Sequence, residues 1–353
     1  PVSFMGIFNE VGLCTSSSGH RRGAQMGVLR VDHPDIEEFI NAKHNTDKLT
    51  GFNISVAVTD EFMRAVEQYK EFSLQFGGKV YRTIRASELW EKIMRSTWDW
   101  AEPGVIFIDR VNQRNNLHYC EEITTTNPCG EQPLPPYGSC LLGSINLTAF
   151  VCPHEGIREA GEARYQFDAA ALAAALPDIV RAMDKVVDET AYPLPQQRIE
   201  ALTKRRMGIG VTGLANTLAA LNIPYGSDEA VHFIERVLAE IANGLYAASV
   251  ALAREKGAFP AFRREPYMDG DFIQRLSPEV RDGIAAHGLR NSHLTSIAPT
   301  GTISFCADNI SSGREPVFAR RERRIVNLPD GPQEMVVENF AVAKWSVECP
   351  TAS

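Results

Sequence analysis

The sequence has little cysteine, and its cysteines follow no common functional spacing. Seven are spread over 353 residues, at positions 14, 120, 129, 140, 152, 306 and 349, with no C-x-x-C pair. This pattern excludes the disulfide framework of a small secreted protein. The cysteine and histidine pairs within residues 118–120 and 152–154 match no common zinc spacing, so we expect no metal site. We expect a cytoplasmic protein in which most thiols are buried and inert.

Long apolar runs and excess positive charge are also missing. No apolar run approaches the roughly 18 residues that span a bilayer, and the formal net charge is −8. We therefore expect binding neither to a membrane nor to nucleic acid, although a local basic pocket remains compatible with a nucleotide. The chain begins "PVSFMGIFNE". Without a Met or a basic leader region, this start is the one expected of a piece of a longer protein.

What the sequence does contain is an alternation of strand and helix patterns, which predicts the α/β class. In the N-terminal part, "MGVLRV" predicts a strand, followed by a helix whose buried stripe is Ile36, Phe39 and Ile40. The apolar alternation in "FNISVAV" predicts a half-buried strand, and "GVIFIDRV" predicts a short extended run. Further along, Ser227 and Gly257 are typical of the first and last caps of one long amphipathic helix.

One glycine motif offers an alternative that we reject. "GIGVTG", with Gly208, Gly210 and Gly213, matches the dinucleotide-binding pattern G-x-G-x-x-G. That site requires an apolar strand directly before the motif, and the preceding residues are "ALTKRRM". We expect these glycines to allow a helix to pack closely against neighbouring backbone.

The stretch "TTTNPCGEQPLPPYGSCLLGSINL" places an amide, a thiol and a carboxylate at alternate positions, Asn127, Cys129 and Glu131. In an extended segment these three side chains share one face. Pro128 cannot join a sheet ladder, so the segment is expected to be a loop or a sheet edge. The proline-rich turn that follows is expected to fold Cys140 back towards Cys129.

The chemistry of this group favours a neutral thiol. A neighbouring carboxylate raises the pKa of a thiol and makes it a poor thiolate nucleophile, which argues against a role like that of a cysteine protease. Hydrogen-atom transfer suits such a thiol better. On spacing alone, the favoured interpretation is that Cys129 is a small buried residue and Glu131 a surface charge.

A second stretch, "LTSIAPTGTIS", predicts a strand that ends at Ala298 and a glycine-containing turn. Free backbone N–H groups and the hydroxyls of Thr300, Thr302 and Ser304 would make this turn a phosphate site. An ordinary strand-to-helix turn is the alternative.

The whole set of motifs resembles one family. "TNPCGEQPLPPYGSCLLGSINL" is similar to the active-site segment of ribonucleotide reductases, in the adenosylcobalamin-dependent (class II) form. Matches in the same order are "RRGAQMGVLRVDHPDIEEFI", "FNISVAVTDEF", "EPGVIFIDRVN", "RRMGIGVTGLAN" and "APTGTISFCADNISSGREPVFA". Together they cover nearly all of the chain.

The resemblance implies roles for the residues of the first stretch. Cys129 would become the thiyl radical that abstracts the ribose 3′-hydrogen, and Glu131 would accept the 3′-OH proton. Asn127 would hold the substrate hydroxyl groups. Cys140 would be one of two redox cysteines, whose partner lies upstream of this chain. The cysteine pair that re-reduces the resulting disulfide would lie beyond its end.

The resemblance also implies two nucleotide sites. The phosphate of the substrate, a ribonucleoside diphosphate or triphosphate, would bind at Thr300, Gly301, Thr302, Ile303 and Ser304. A dNTP or ATP effector would be read by loops within residues 1–60, with Arg21, Lys43, Asn45 and Lys48 as candidate contacts. That site usually lies at a dimer interface, so a homodimer is expected.

The fold implied by the resemblance is a ten-stranded α/β barrel of two parallel five-stranded halves, with the Cys129 loop entering its centre. Residues 1–353 would form a single catalytic barrel domain, incomplete at both ends. Adenosylcobalamin is the implied cofactor and a thioredoxin-type protein the implied reductant. The alternatives are the large subunit of an iron- or manganese-dependent (class I) reductase and a nucleotide-binding regulatory module without catalysis.

Overall fold

The structure, a computed structural model, describes residues 1–15, 23–139, 141–154, 165–328 and 331–348. The chain divides into two units, residues 1–137 and residues 138–353. Each unit has its own parallel strands and its own helices, as the α/β prediction requires.

The first unit is built around one short parallel sheet. Its elements, in chain order, are α1 (Val2–Thr15), β1 (Gln25–Arg30), α2 (Ile36–Ile40), β2 (Phe52–Val58), α3 (Asp60–Glu67), β3 (Glu71–Phe76), β4 (Lys79–Arg85), α4 (Ala86–Trp100), β5 (Gly104–Phe107), α5 (Ile108–Gln113), β6 (Thr125–Thr126) and β7 (Pro133–Leu134). Strands β1, β2 and β5 pair in parallel in the order β1-β2-β5, while β3 and β4 form an antiparallel hairpin.

Strand β2 is more deeply buried than its sequence pattern predicts. Ile54, Val56 and Val58 belong to the main core with residues of α2, α3 and α4. Ala57 points to the other face and packs against Ile108 of α5. The half-buried prediction is therefore wrong, because a central strand of a parallel sheet is covered on both faces. Among its residues only Asn53 is exposed.

The predictions for two segments near β2 differ in their outcome. The buried stripe of α2 is confirmed, since Ile36, Phe39 and Ile40 are all at most 2% exposed. The extended run predicted for "GVIFIDRV" is only half correct. It is β5 up to Phe107, and from Ile108 the chain turns directly into α5.

The second unit contains the longer helices. Its elements are β8 (Leu141–Asn146), a 3₁₀ turn (Leu147–Phe150), β9 (Val151–Pro153), β10 (Tyr165–Phe167), α6 (Ala169–Glu189), α7 (Pro195–Lys204), β11 (Met207–Thr212), α8 (Leu214–Ala220), α9 (Asp228–Lys256), α10 (Arg264–Met268), a 3₁₀ turn (Ile273–Arg275), α11 (Pro278–His287), a 3₁₀ turn (Ile303–Ala307), β12 (Arg321–Leu328), β13 (Gly331–Glu338) and α12 (Phe340–Glu348).

The glycine motif forms strand β11 and the turn after it. Every residue of β11 is buried, and the strand pairs in parallel with β8. On its other side, Ile209 donates to Leu294 O at 2.8 Å, and Ser296 donates to Ile209 O at 3.2 Å. The segment predicted as the strand "LTSIA" is therefore extended along β11, with a single β-bridge at Thr295. A Cβ on Gly210 would lie 2.2 Å from Ser296 O, so this glycine permits contact with extended backbone rather than with the predicted helix.

The long helix α9 is confirmed with both of its caps. The Ser227 hydroxyl accepts a hydrogen bond from the Ala230 N–H at 3.1 Å. Gly257 ends the helix with a φ of +86°, a conformation that favours glycine. The buried face of α9 packs against α6 and α11.

Asp184 of α6 forms a buried ionic centre in the second unit. Its fully buried carboxylate accepts from Arg205 Nε at 2.8 Å, from Arg290 Nε at 3.2 Å and from Asn291 Nδ2 at 2.9 Å. Lys256 lies 3.7 Å from the same carboxylate. Burial alone would raise the pKa of Asp184, but the hydrogen bonds and charges of Arg205, with smaller contributions from Asn291 and Arg290, outweigh it and lower the pKa. The centre joins α6, the end of α7 and the segment after α11.

Within the described ranges, the strands form sheets of two or three members, so a ten-stranded barrel is not visible there. In the same part of the chain, no helix is long and apolar enough to cross a membrane.

Candidate functional site

The loop that carries Cys129 connects two very short strands. β6 and β7 pair antiparallel, with Thr125 opposite Leu134 and Thr126 opposite Pro133. Within the loop, Gly130 donates to Asn127 O at 3.0 Å, and its φ of +85° completes a tight turn. Residues 127–132 are therefore the tip of a hairpin.

The hairpin corrects the expectation of an extended segment with one shared face. Asn127 folds over the loop, where its Oδ1 accepts from the Gln132 N–H at 3.0 Å. Cys129 is exposed at the turn, and Glu131 is half-buried with its Oε2 atom shielded from solvent. The loop assignment based on Pro128 is confirmed. A β-turn, rather than strand alternation, brings the amide, the thiol and the carboxylate into one short loop.

Asn53 ties this loop to the central strand of the first unit. Its side-chain Nδ2 donates to Pro128 O at 2.6 Å, and this carbonyl belongs to the residue directly before Cys129. The start of β2 is itself held in place, because Glu102 Oε1 accepts from the Ile54 N–H at 3.0 Å and Lys43 Nζ donates to Phe52 O at 2.5 Å. The carbonyl next to the thiol is thus fixed to the sheet.

The second predicted thiol, Cys140, lies outside the described residues, and so does Arg21. The predicted return of Cys140 towards Cys129 therefore stays a prediction. Of the proline-rich stretch between them, Pro133–Leu134 forms β7, and residues 136 and 137 form a turn.

The candidate effector contacts in residues 43–48 differ in exposure and in their bonds to the rest of the first unit. The Lys43 ammonium forms an ion pair with Glu102 Oε2 at 2.5 Å in addition to its bond to Phe52 O, so it is engaged within the unit. Asn45 and Lys48 are exposed, and Asn45 Oδ1 accepts from the Asp47 N–H at 3.0 Å. This geometry favours a structural role for Lys43 and leaves Asn45 and Lys48 facing solvent.

In the second unit, the turn at residues 299–304 presents its side chains differently from the prediction. Thr300 is 2% exposed and Ser304 3% exposed. The Ser304 hydroxyl donates to Gly301 O at 2.9 Å, and the Ser304 N–H donates to Thr300 O at the same distance. Gly301, Thr302 and Ile303 face outward, with open space beside the Gly301 Cα. Two of the three predicted hydroxyls are therefore used inside the fold.

The buried Thr300 hydroxyl pairs with Thr212, the last residue of β11. Their Oγ1 atoms are 2.8 Å apart, and Thr212 Oγ1 also donates to Ser311 O at 3.1 Å. The Gly313 N–H donates to Thr300 Oγ1 at 2.5 Å. Since Thr212 gives its proton to Ser311 O, it must accept from Thr300. Each hydroxyl then donates one hydrogen bond and accepts one.

Asn216 of α8 fixes the other side of this cluster. Its Oδ1 accepts from the Ser311 N–H at 2.6 Å, and its Nδ2 donates to Asn339 Oδ1 at 2.8 Å. All three side chains are less than 9% exposed. The segment that supplies the Gly313 N–H to Thr300 is therefore held by a satisfied buried network.

Sequence reasoning missed Asn53, Thr212 and Asn216 as functional candidates. Each left a faint signal, because Asn53 interrupts an apolar strand and the other two lie in or just after the glycine motif. Their partners, Pro128, Thr300 and Ser311, are 75 to 95 residues away along the chain. Local patterns carry no information on such pairs. In the described part of the chain, no group of three or more His, Cys, Asp or Glu residues could hold a metal ion.

The fold and these sites define a class of protein. It is an α/β protein with an exposed thiol in a polar hairpin loop and with polar groups gathered where parallel strands end, the usual ligand position in such folds. Residues 1–341 match the family described as ribonucleotide reductase, barrel domain, and the chain belongs to that family. The resemblance found in the sequence motifs is thereby confirmed.

The chain is similar to three reductases over 90% of its length. The vitamin B12-dependent ribonucleoside-diphosphate reductase of Thermoplasma acidophilum is 40% identical over 322 residues, 38% of that protein. Its counterpart in Mycobacterium tuberculosis is 41% identical over 322 residues, 42% of that protein. The ribonucleoside-diphosphate reductase subunit alpha of Chlamydia pneumoniae is 27% identical over 376 residues, 35% of that protein. The chain thus spans well under half the length of these relatives.

Proposed function

We propose that this chain is the catalytic core of an adenosylcobalamin-dependent ribonucleotide reductase that acts on ribonucleoside diphosphates in the cytoplasm. The observation that carries the proposal is the exposed Cys129 at the tip of a hairpin loop in a member of this family. The names of the relatives at 40% and 41% identity support the vitamin B12-dependent form.

The residues of the hairpin loop have complementary roles in this proposal. Cys129, as a thiyl radical, takes the 3′-hydrogen of the ribose. Glu131 accepts the 3′-OH proton while the 2′-OH leaves as water. The oxygen of Asn127 is bonded to the Gln132 N–H, so its NH₂ group is the end that we assign to the substrate hydroxyls. Cys129 regains its hydrogen atom at the end of each turnover.

The electrons come from a pair of thiols. Cys140 and a second cysteine together give two electrons and two protons and become a disulfide. The net reaction converts a ribonucleotide and a dithiol into a deoxyribonucleotide, a disulfide and water. A thioredoxin-type reductant then restores the dithiol by exchange.

Adenosylcobalamin, when bound, supplies a radical by homolysis of its cobalt–carbon bond. The described residues around Cys129 leave its thiol accessible to such a cofactor. Cys129 is exposed, and among the described residues, apart from the two chain neighbours of Gly130, no atom lies within 4 Å of the position that a Cβ would take at Gly130. A bulky radical source needs such open access to the sulfur. The part of the protein is to hold the thiol in place, through Asn53 and the turn.

The remaining sites complete the proposal. The substrate phosphate binds the outward groups of the turn, namely the backbone N–H groups of Gly301, Thr302 and Ile303 and the Thr302 hydroxyl. Thr300 and Ser304 hold the turn from inside. Asn45 and Lys48 face solvent and are better placed than Lys43 to contact the effector. Arg21, which lies outside the described residues, stays a candidate from the sequence. The family description supports a barrel. The count of ten strands and the homodimer remain part of the proposal.

A direct assay tests the cofactor and the reaction together. The complete protein, mixed with adenosylcobalamin, a ribonucleoside diphosphate and a dithiol, is expected to form deoxynucleotide and cob(II)alamin. Omitting the cofactor should abolish the product. Activity that appears only after addition of a metal-bearing second subunit would contradict the cobalamin assignment and support the class I alternative.

Asn53→Asp is expected to lower kcat by about tenfold to a hundredfold, because small displacements of a reacting group cost rate steeply. Aspartate has nearly the shape of asparagine, but its carboxylate cannot donate to Pro128 O and repels it. The KM for the ribonucleotide should change little. Steady-state kinetics of the complete protein provide the measurement.

Asn243→Asp is the matched control for this change. Asn243 Nδ2 also donates to a backbone carbonyl, that of Ala239, in a solvent-exposed hydrogen bond of 2.8 Å. Its substitution should leave kcat unchanged. Equal losses in the two variants would show that Asn53 has no special relation to the thiol.

A further inference from the structure

The glycine motif, which we do not assign to a dinucleotide, contacts the turn at residues 299–304 and the segment that leads into it. We call this turn the phosphate turn. Gly210 allows the backbone at Ser296 to run in contact with β11, since any side chain there would collide with a carbonyl oxygen. Hydrogen bonds from Ile209 and Ser296 fix the register of the two segments. The turn at residues 299–304 therefore starts from a position that β11 sets.

Thr212 holds the turn at its next point of attachment. Its side chain is 4% exposed, and its hydroxyl accepts from Thr300 while donating to Ser311 O. Thr300 in turn accepts from the Gly313 N–H. A threonine hydroxyl has one proton to donate, so these bonds permit a single arrangement of donors. Thr300 is fixed in orientation, with its side chain directed away from the turn's outer surface.

The orientation of Thr300 decides which groups of the turn face outward. With its hydroxyl held inside, the outer surface of the turn consists of Gly301, Thr302 and Ile303. Rotation of Thr300 would break two buried hydrogen bonds and leave polar atoms unpaired, which is costly in a buried site. The Thr212–Thr300 bond therefore keeps Gly301, Thr302 and Ile303 on the outer surface of the turn.

We propose that Thr212 is a positioning residue for the phosphate end of the substrate, acting through the Thr300 hydroxyl rather than by contact. This inference rests on the proposed function, in which the turn binds the phosphate of a nucleoside diphosphate. It assigns to the glycine motif a role that does not involve a dinucleotide. Thr212 limits the conformational freedom of the turn, so the turn loses less conformational entropy when a phosphate binds.

The test compares the affinities of the complete protein for cytidine diphosphate and for cytidine. Thr212→Val keeps the shape of threonine and removes the hydroxyl. It is expected to weaken binding of cytidine diphosphate about tenfold, the equivalent of one buried hydrogen bond, and to leave binding of cytidine unchanged. Thr212→Ser, which keeps the hydroxyl, should restore most of the affinity. Isothermal titration calorimetry gives both constants.

Thr217→Val is the matched control. Thr217 is also fully buried and also donates its hydroxyl, to Gly213 O at 2.9 Å, but its bond does not reach the turn. This variant should bind cytidine diphosphate as the wild type does. An equal loss in the Thr217→Val and Thr212→Val variants, or an equal loss for both ligands, would overturn the inference. So would wild-type affinity in Thr212→Val. If the wild type itself does not bind cytidine diphosphate, the proposed function fails instead.

Discussion

Replacing Cys129 with alanine is expected to abolish ribonucleotide reduction by the complete protein, with a loss of at least about a thousandfold. Every turnover needs the sulfur to lose and regain a hydrogen atom, and alanine has no bond weak enough to replace it. Binding of the ribonucleoside diphosphate should stay nearly unchanged, because the phosphate turn and Asn127 are intact. Product analysis and equilibrium binding on the same preparation measure the two effects.

Two further variants sharpen this prediction. Cys129→Ser keeps the size and polarity of the side chain but has a much stronger O–H bond, so it should be as inactive as Cys129→Ala. Cys14→Ala removes another exposed cysteine, on α1, and should retain full activity. Exposed substitutions of this kind usually change stability by no more than about 0.5 kcal/mol. Substantial reduction by either Cys129 variant would refute the thiyl assignment.

Where the sequence predicted the fold correctly, the controlling interactions are local. Helix α9 is defined by apolar residues every three or four positions, by the Ser227 cap and by Gly257, all of which lie within the segment itself. The buried face of α2 is predictable for the same reason. Strand β2 was found but its burial was underestimated, because α5 covers the second face and no feature within β2 indicates it.

For the candidate site, the residues named from the sequence stay a prediction, whereas the geometry expected of them was wrong. Asn127, Cys129 and Glu131 were identified from their chemistry and from the family resemblance, while the extended conformation was wrong. The positive φ of Gly130 and the bond between Asn127 Oδ1 and the Gln132 N–H turn the segment into a hairpin tip. Glycine at this position was a visible signal for a turn. The alternate spacing of Asn127, Cys129 and Glu131 favours the extended conformation instead.

At the phosphate turn, the sequence fails to predict the geometry for a different reason. Thr300 and Thr302 look equivalent in the sequence, two hydroxyls on either side of a glycine. One points inward because Thr212, 88 residues earlier, accepts its proton, and the other is left outside. Only a long-range contact decides between them. The same holds for Asp184, whose partners Arg290 and Asn291 follow it by more than 100 residues.

Asp184→Asn is expected to destabilise the protein by about 3–5 kcal/mol, because removing one partner of a buried ion pair leaves the opposite charge without compensation. Arg205 would keep Asp188, whose Oδ1 lies 2.7 Å from it, but Arg290 would face a neutral amide in a largely buried position. The free energy of unfolding, measured with urea by a probe in α6 or α9, tests the effect. Glu255→Gln is the control, since its ion pair with Arg181 has similarly short contacts but is half exposed to water, and the change should have little effect.

The difference in unfolding free energy between the wild type and Asp184→Asn should depend on pH in a way that identifies the Asp184 carboxylate as the source of the stabilisation. The folded-state pKa of Asp184 lies below the ordinary value of 3.8. The folded protein therefore stabilises the ionised carboxylate relative to the unfolded chain. The stabilisation is therefore fully present above that ordinary value and is lost as the pH falls through the lowered pKa. The gap between wild type and Asp184→Asn should stay constant from pH 7 to about pH 4 and narrow under more acidic conditions. A gap that widens on acidification, or that closes near neutral pH, would assign the stabilisation to another group.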